Sequence, residues 1–283
     1  MRVQMQPELV PAFFEAAARD VYNVFCPRTQ RVGSFIISFQ KCGRTWLELM
    51  LAHAFAHVYG MDASLISRQL PKMRARVGRG PVIFSTHDWS ETTGETRDAI
   101  SPYLMLAYPL RMRYWGRRVL MLIRDPRDTI VSSYYQVTRR AFRPLSFDTI
   151  DSYVLDPLYG FPRLIHFYKI WAFNRHFVLP FKLVRYEELL RDGYATLQSI
   201  CDYVELPGLA PQTIKVIYDA CRFDQIRAME DAGLADLYKF SGAGASKARR
   251  GKIGGYRDEL QPETIDHLNR WMLELPAPFT YPV

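Results

Sequence analysis

Hydrophobic and polar residues alternate along this chain in blocks that predict strands and helices in turn. Four short apolar runs have the length and β-branched content of buried strands, at residues 34–39, 81–85, 119–123 and 181–184. Stretches with a helical period lie at residues 7–25, 45–59, 126–135, 161–177, 194–204, 211–220 and 262–271. Strands that alternate with helices predict an α/β fold with a mostly parallel central sheet flanked by helices.

Three segments lack either period. Residues 60–80 are polar and are expected to run over the surface. Residues 88–118 carry aromatic residues between basic ones, so they line an acceptor pocket or form an irregular connection. Residues 231–256 are rich in Gly, Ala, Ser and charge, and we expect a mobile flap there.

Length and charge set the broad class. At 283 residues the chain can bury one sizeable core, and length alone allows one α/β domain or two. The net charge of +8 suits an anionic ligand, a nucleic acid or an acidic membrane surface without choosing between them. Basic residues cluster only at 111–118 and 247–252, without the spacing of a helix-turn-helix or a zinc finger, so no nucleic-acid partner is expected.

The cysteines and the N-terminus indicate a cytoplasmic protein. The 4 cysteines form no C-x-x-C pair and are interpreted as ordinary thiols of a reducing compartment. Glu8, Glu15 and Asp20 argue against a secretory signal, and no apolar run approaches the roughly 18 residues of a membrane span.

The stretch 34–59 joins a strand, a cationic turn and a helix. The turn contains Lys41, Gly43 and Arg44, and Thr45 opens the helix. Backbone N–H groups and the positive end of the helix dipole point at one place in such a junction, to which Lys41 adds a full charge. We therefore expect a phosphate-binding cradle, although these residues alone also fit a basic turn without a ligand.

A second anion site is predicted after the third apolar run. Arg124 follows that run directly, and the helix start is marked by Asp125 as N-cap and Pro126 at the first helical position. Ser132 lies two turns into this helix, so it can converge with Arg124 on one phosphate, which arginine binds bidentately. The Walker A string G-x-x-x-x-G-K-[ST] does not occur in the chain.

Three histidines are candidates for chemistry. His87 lies just beyond the second apolar run, where open α/β sheets place their reactive groups, but a lone histidine there is more often structural. His53 and His57 have the spacing of a two-histidine metal site. The glutamate of H-E-x-x-H is missing and no third ligand is at hand, so no metal is expected.

The cradle resembles the 5′-phosphosulfate loop of the cytosolic-type sulfotransferases. In that family the loop reads Pro-Lys-Ser-Gly-Thr-Thr-Trp, and this chain reads Gln40-Lys41-Cys42-Gly43-Arg44-Thr45-Trp46. Arg44 stands in place of the first threonine. The family's Lys-Thr-His, which carries its base, resembles Ser85-Thr86-His87, with serine in place of the lysine.

Four more motifs follow in the family's order. Arg124 and Ser132 keep the spacing of eight residues found in the family's 3′-phosphate site. Tyr186-Glu187-Glu188 resembles a segment whose tyrosine lies next to adenine, and Phe223 matches an aromatic residue that packs near it. Arg249-Arg250-Gly251 resembles the Arg-Lys-Gly segment that binds the 3′-phosphate.

The resemblance implies a single domain over residues 1–283 with the P-loop-kinase-like sulfotransferase fold, in a bacterial member of the family. It implies transfer of a sulfonate group from 3′-phosphoadenosine 5′-phosphosulfate (PAPS) to a hydroxyl or amine, leaving adenosine 3′,5′-bisphosphate (PAP), without a metal. The implied catalytic residues are His87 and Lys41. The implied nucleotide contacts are Lys41, Cys42, Gly43, Arg44, Thr45, Trp46, Arg124, Ser132, Tyr186, Phe223, Arg249, Arg250 and Gly251.

Two other functions stay open. One is a nucleotide-dependent phosphoryl transferase, for which the Walker loop is missing. The other is a homologue that binds the nucleotide without turnover, suggested by Arg44 and Ser85 near the transferring group. The sequence allows a small molecule, a lipid or a carbohydrate as the acceptor, and no motif encodes the oligomeric state.

Overall fold

The computed structural model describes residues 33–88, 90, 111–139, 144–222, 224–226 and 252–283. Its four strands are β1 (Ser34–Ser38), β2 (Ile83–Thr86), β3 (Arg118–Ile123) and β4 (Phe181–Arg185). They form one parallel sheet in the order β2-β1-β3-β4, which confirms the predicted parallel α/β architecture. The second strand begins two residues later than predicted.

Helices cover the sheet. They are α1 (Arg44–Tyr59), α2 (Leu70–Val77), α3 (Pro126–Arg139), α4 (Ile150–Leu155), α5 (Phe161–Asn174), α6 (Tyr186–Arg191), α7 (Gly193–Tyr203), α8 (Pro211–Ala220) and α9 (Pro262–Met272), with 3-10 turns at Ala63–Leu65, Met112–Tyr114 and Gly255–Asp258. Six of these match predicted helices within a few residues at each end.

Three short helices were not predicted. Residues 60–80 contain α2 and a 3-10 turn instead of an unstructured surface path, because Leu70 and Met73 pack into the core within an otherwise polar stretch. Helices α4 and α6 span six residues each, which is too few for a periodic signal. The predicted helix at 7–25 and most of the predicted flap at 231–256 lie outside the described residues.

The core is centred on β1 and β3. Residues Val119 to Ile123 of β3 are fully buried, and so are Ile36 and Ile37 of β1. A continuous apolar run of this kind is typical of a parallel strand with both faces covered. Of the described helices, none is long and apolar enough to cross a membrane.

The strand order decides where the loops meet. From β1 the chain goes first to β2 on one side and then to β3 on the other, so the order reverses between β1 and β3. The carboxyl ends of strands at such a switch point form the crevice in which open α/β sheets bind ligands. The turns after β1 and β3 therefore face each other, with the end of β2 beside them.

Candidate active site

The first βα turn, residues 39–43, joins β1 to α1 in an unusual backbone conformation. Lys41 and Gly43 have φ angles of 70° and 93°, in the left-handed region. That conformation costs a residue with a side chain about 1–2 kcal/mol, so its presence at Lys41 indicates a turn held by its surroundings. Gly43 is the N-cap of α1 and, as a glycine, has no side chain with which to cap this terminus. The helix therefore directs its dipole and backbone N–H groups outward, as the cradle prediction requires.

The close packing of the Tyr186 ring against the backbone also requires a glycine at position 43. A Cβ atom added at Gly43 would lie 2.6 Å from the Cδ2 atom of Tyr186. The Tyr186 ring is buried between the ring of Trp46, at a centroid distance of 5.7 Å, and the guanidinium of Arg124, 4.7 Å from its centroid. Burial raises the pKa of Tyr186. Three of the predicted nucleotide-binding segments thus meet at one aromatic ring.

Cys42 contributes to the turn through its backbone only. Its thiol is fully buried and lies 3.9 Å from the Thr129 hydroxyl and 3.7 Å from that of Tyr168. Burial raises the pKa of the thiol to about 11, and the hydrogen bonds to Tyr168 and Thr129 oppose this rise. The side chain is a core residue, so any contact with an anion is made by the Cys42 N–H group.

The second βα turn, Arg124 and Asp125, joins β3 to α3 and is capped by a side chain. Asp125 Oδ1 accepts the N–H of Arg127 at 2.9 Å, and the Asp125 carbonyl accepts that of Thr129 at 2.9 Å, which confirms the predicted N-cap. The buried Arg127 guanidinium donates to the other Asp125 oxygen at 2.7 Å. This turn therefore has a capping carboxylate of its own, whereas the N-cap of the first turn is a glycine.

Arg124 connects the two turns. Its Nη1 donates to the Lys41 carbonyl at 3.3 Å and its Nη2 to the Lys252 carbonyl at 3.5 Å. The guanidinium is thereby held between the first turn, Tyr186 and the segment that follows residue 251. An anion at this place would meet a fixed cation.

One face of α3 runs along the same space. Lys41 Nζ donates to Gln136 Oε1 at 3.4 Å. Ser132 lies one helical turn before Gln136, and positions four apart share a helix face. Ser133 points the other way, into the core, where it bonds Gln40 at 2.8 Å and Tyr153 at 2.7 Å. Lys41 thus lies against the face of α3 that carries Gln136 and Ser132.

His87 follows β2 and touches the end of β1. Its Nδ1 lies 3.0 Å from the Ser38 carbonyl and 3.4 Å from the Ser38 hydroxyl. A carbonyl only accepts, so Nδ1 carries the proton and the lone pair of the neutral ring lies on Nε2. Thr86 pairs with Ile37 in the sheet, which sets His87 beside the first residues of the cradle.

The residue after His87 belongs to a buried ionic cluster that the sequence reasoning missed. Asp88, with a φ angle of 47°, accepts hydrogen bonds from Arg111 Nε at 2.5 Å and from the Tyr114 hydroxyl at 3.0 Å. The side chains of Asp88 and Arg111 are fully buried. The acidic residue next to His87 was a signal for this cluster, but its partners lie 23 and 26 residues away.

The Arg44 guanidinium lies along α1. Its Nε is 3.2 Å from Glu48 Oε1, and Arg68 is 3.6 Å from the other oxygen of the same carboxylate. Glu48, four residues after Arg44, is buried and offsets the charge that the arginine brings to the helix N-terminus.

Trp46 connects the cradle to the next predicted motif. Its indole N–H donates to the Cys221 carbonyl at 2.6 Å, and its ring lies 5.8 Å from that of Tyr218. Phe223, Arg249, Arg250 and Gly251 lie outside the described residues. Gln136 was missed by sequence reasoning, and its position one turn after Ser132 was the available signal.

Metal ligands do not cluster in the described ranges, where no group of three His, Cys, Asp or Glu side chains is placed to hold an ion. Burial lowers the pKa of His53.

Comparison with known proteins identifies the family. The family model described as "Sulfotransferase domain" matches residues 33–277. Human Sulfotransferase 2A1 is 24% identical over 282 residues, which cover 93% of this chain and 92% of that protein. Rat Sulfotransferase 2A1 is 27% identical over 159 residues, 53% of this chain, and the match spans about half, 54%, of the rat protein.

Solved sulfotransferase structures share the fold. Mouse sulfotransferase SULT7A1 complexed with PAP superposes with a TM-score of 0.54 at 15% identity, covering 87% of this chain and 84% of that one. Retinol dehydratase in complex with androsterone and inactive cofactor PAP gives a TM-score of 0.59 at 18% identity, with 96% and 87% covered. The sheet, its flanking helices and the family match over residues 33–277 lead to one conclusion: the chain belongs to the sulfotransferase family.

Proposed function

We propose that this protein transfers a sulfonate group from PAPS to a hydroxyl or amine of an acceptor molecule, with His87 as the base and in-line geometry. The observation that carries the proposal is the meeting of two cationic βα turns at the switch point of the sheet, joined by Arg124, with His87 at the end of the neighbouring strand. A donor with anionic groups at its 3′ and 5′ ends fits two such turns, and PAPS supplies the sulfonate when it is bound.

The known proteins support the nucleotide. The related mouse and retinol dehydratase structures are complexes with PAP. Retinol dehydratase is also solved with a second small molecule beside PAP, androsterone in one complex and retinol in another. We therefore infer a small-molecule acceptor for this chain as well.

The 5′ end of the donor belongs at the first βα turn. The N-terminus of α1, with glycine as its N-cap, offers backbone N–H groups and the positive end of its dipole. The oxygen that bridges phosphorus and sulfur gains negative charge as its bond to sulfur breaks, and the positive charge of Lys41 would stabilise it there. Gly43 lets the backbone approach the ligand closely, and Thr45 lies in the first turn of the helix.

The 3′-phosphate belongs between Arg124 and Ser132. Arg124 is already oriented by two carbonyl groups and by the ring of Tyr186, so little side-chain entropy is lost on binding. Arg249, Arg250 and Gly251 complete this site in the proposal. Tyr186, Trp46 and Phe223 would contact the adenine.

His87 would remove the proton from the acceptor. The Ser38 carbonyl holds Nδ1–H, so Nε2 is the nitrogen that accepts the proton as the acceptor oxygen or nitrogen forms its bond to sulfur. The proton remains on the imidazole, and the electron pair of the broken bond remains on the 5′-phosphate of the leaving nucleotide. Two such positioned groups, a base and a cation, correspond to the catalysis by orientation and electrostatics that is known for phosphoryl transfer.

A second candidate function is nucleotide binding without turnover. Arg44 stands where the family has a threonine hydroxyl near the 5′ end of the donor, and its charge is neutralised by Glu48. Ser85 stands where the family has a lysine. Both substitutions favour this second candidate. A phosphoryl transferase is less favoured because the Walker A string is missing.

Calorimetric titration with PAP, ADP and ATP, without and then with Mg²⁺, tests the nucleotide. We expect metal-independent binding with a preference for PAP, whereas a preference for ATP with Mg²⁺ would contradict the proposal and favour a phosphoryl transferase.

Transfer is then assayed with PAPS across a panel of phenols, alcohols and amines. His87→Ala should keep PAP affinity within about twofold and lose transfer by 10²–10⁴-fold, the usual contribution of a general base. His57→Ala, an exposed histidine of α1, is the matched control and should be as active as the wild type. An active His87→Ala protein would rule out the assigned base, and PAP binding without transfer to any acceptor would favour the second candidate.

A further inference from the structure

Asp128 links the second βα turn to a distant part of the chain. It lies in the first turn of α3, four residues after Arg124, and its carboxyl group is buried. One oxygen accepts the N–H of Gly254 at 2.7 Å and the other accepts that of Tyr256 at 3.0 Å. These partners are 126 and 128 residues away in sequence, so the contact is tertiary.

The segment that Asp128 holds has a defined shape. We name residues 252–256 the basic strap, because it begins at Lys252 and directly follows the predicted phosphate-binding residues 249–251. Gly254 has a φ angle of 76°. The Tyr256 ring is buried between the guanidinium groups of Arg127 and Arg257, each 4.6 Å from its centroid. Two N–H groups at alternate positions are thereby presented to one carboxylate.

Arg124 holds the same strap at its other end. Its Nη2 donates to the Lys252 carbonyl at 3.5 Å, while Asp128 binds the strap two and four residues further on. Arg124 is the cation proposed to bind the 3′-phosphate, and Asp128 is the carboxylate that orders the strap. The two residues lie four positions apart at the junction of β3 and α3. A change in the conformation of the strap would therefore alter the hydrogen bond that orients Arg124.

The chemistry requires an aspartate at this position. The two N–H groups are bonded to different oxygens of one side chain, and a carboxylate has two acceptor oxygens where a carboxamide has one. A carboxylate close to a phosphate site is otherwise unfavourable, since like charges repel. Burial raises the pKa of Asp128, while the Arg124 charge and the two backbone hydrogen bonds lower it. The negative charge is thus directed at donors of the strap.

We propose that Asp128 is a positioning residue for the nucleotide site: by binding the N–H groups of Gly254 and Tyr256 it fixes the basic strap, whose Lys252 carbonyl in turn orients Arg124 for the 3′-phosphate. The proposal rests on the proposed function, because it specifies how that donor is recognised. It assigns Asp128 no contact with the nucleotide itself.

The test compares two ligands that differ only in the 3′-phosphate. PAP and adenosine 5′-monophosphate are titrated calorimetrically into the wild type and into Asp128→Asn. We expect PAP to bind the variant about ten- to a hundredfold more weakly, the effect of leaving a buried donor unpaired, with less than a twofold change for adenosine 5′-monophosphate. An equal loss for both ligands, or no loss for PAP, would overturn the proposal.

Two further variants make the result specific. Asp151 also accepts a backbone N–H of the C-terminal region, that of Gln261 at 3.2 Å, so Asp151→Asn is a matched control that should leave both affinities unchanged. Gly254→Ala strains the strap from its own side, because φ is 76° and the added Cβ would lie 2.6 Å from Arg257 Nη1. It should reproduce the selective loss for PAP, and it decides the matter if Asp128→Asn does not fold.

The wild type separates this proposal from the one on which it rests. A wild type that binds PAP no better than adenosine 5′-monophosphate contradicts the proposed function, whatever the variants do. A wild type that prefers PAP, with the same preference retained in Asp128→Asn and Gly254→Ala, contradicts only the role of Asp128.

Discussion

The two βα turns of this protein occupy equivalent places in the fold, each between a parallel strand and a helix, but they differ in how the helix N-terminus is capped. The first turn, after β1, has Lys41 and Gly43 in left-handed conformations, and Gly43, the N-cap of α1, has no capping side chain. The second turn, after β3, has Asp125 as a cap on α3. Only the first turn can offer a helix N-terminus to an anion, so the second depends on the Arg124 side chain.

The difference teaches which property each half of the site depends on. A site made from backbone N–H groups depends on backbone shape, and a change of shape at Gly43 should damage it. A site made from a guanidinium depends on what orients that group, which here includes the Lys41 and Lys252 carbonyls and Tyr186. The following predictions test this contrast, beginning with the largest expected effect.

Lys41→Met should abolish most of the transfer while sparing much of the binding. We expect transfer from PAPS to fall about 10²–10³-fold, since Lys41 would stabilise charge that develops only as the donor bond breaks. PAP affinity should fall about tenfold, because the open N-terminus of α1 remains. Transfer assays and calorimetry measure both quantities, and Lys72→Met, an exposed lysine of α2, is the control. A kcat equal to that of the wild type would contradict the role given to Lys41.

Asp125→Ala should destabilise the protein, because it removes the side chain that caps α3. The N-cap of α1 is Gly43, which has no side chain to remove. The variant loses the N-cap of α3 and leaves Arg127 without its carboxylate, although Asn269 Oδ1 and the Pro282 carbonyl still accept from it at 2.7 Å each. We expect the free energy of unfolding in urea to fall by about 3 kcal/mol. Asp125→Asn keeps a capping oxygen and should lose less. Equal stability of Asp125→Ala and wild type would show that the cap is not structural.

Gly43→Ala should damage the first turn by shape alone. Its Cβ would lie 2.6 Å from the Tyr186 ring, and φ is 93°. We expect a loss of about 2 kcal/mol in the free energy of unfolding and about tenfold in PAP affinity. Gly60→Ala, at the other end of α1, has a φ of 65° with nothing within 4 Å of the added Cβ, so it should cost stability without changing PAP binding. If both variants bind PAP equally well, the fit between Gly43 and Tyr186 is unimportant.

Glu187→Gln should change the pH dependence of the free energy of unfolding. This is the smallest of the four predicted effects. Glu187 accepts the Asp125 N–H at 2.8 Å and the Tyr281 hydroxyl at 3.1 Å, and burial raises its pKa above the usual glutamate value. The folded state therefore retains a proton that the unfolded chain has released, so this group's contribution to stability is complete below the usual pKa and is lost as pH rises through the folded one.

Unfolding in urea between pH 4 and 7 measures this slope. Glu187→Gln cannot titrate, so its free energy of unfolding should decline less than that of the wild type as pH rises. Glu263→Gln, an exposed residue of α9, should follow the wild type. An unchanged slope in Glu187→Gln would mean that Glu187 has the same pKa in the folded and unfolded states.

Much of the architecture was predictable because its signals are local. The apolar runs at 34–39 and 119–123 have the composition of buried strands, and Asp125 with Pro126 marks a helix start within two residues. The short helices α4 and α6 were not predictable, since six residues are less than two turns and carry no period. Likewise, Lys41 in a left-handed conformation has no sequence signal, because glycine is the residue expected there.

The sequence by itself determined the strands, the longer helices and the parallel sheet, because period, turn residues and caps act over a few neighbours. The tertiary structure alone decided which residues meet. Tyr186 lies against Gly43, the Ser38 carbonyl orients a histidine 49 residues away, and Asp128 binds the strap across more than 120 residues. Such contacts depend on strand order and on burial across the whole chain, and neither can be deduced from spacing along the sequence.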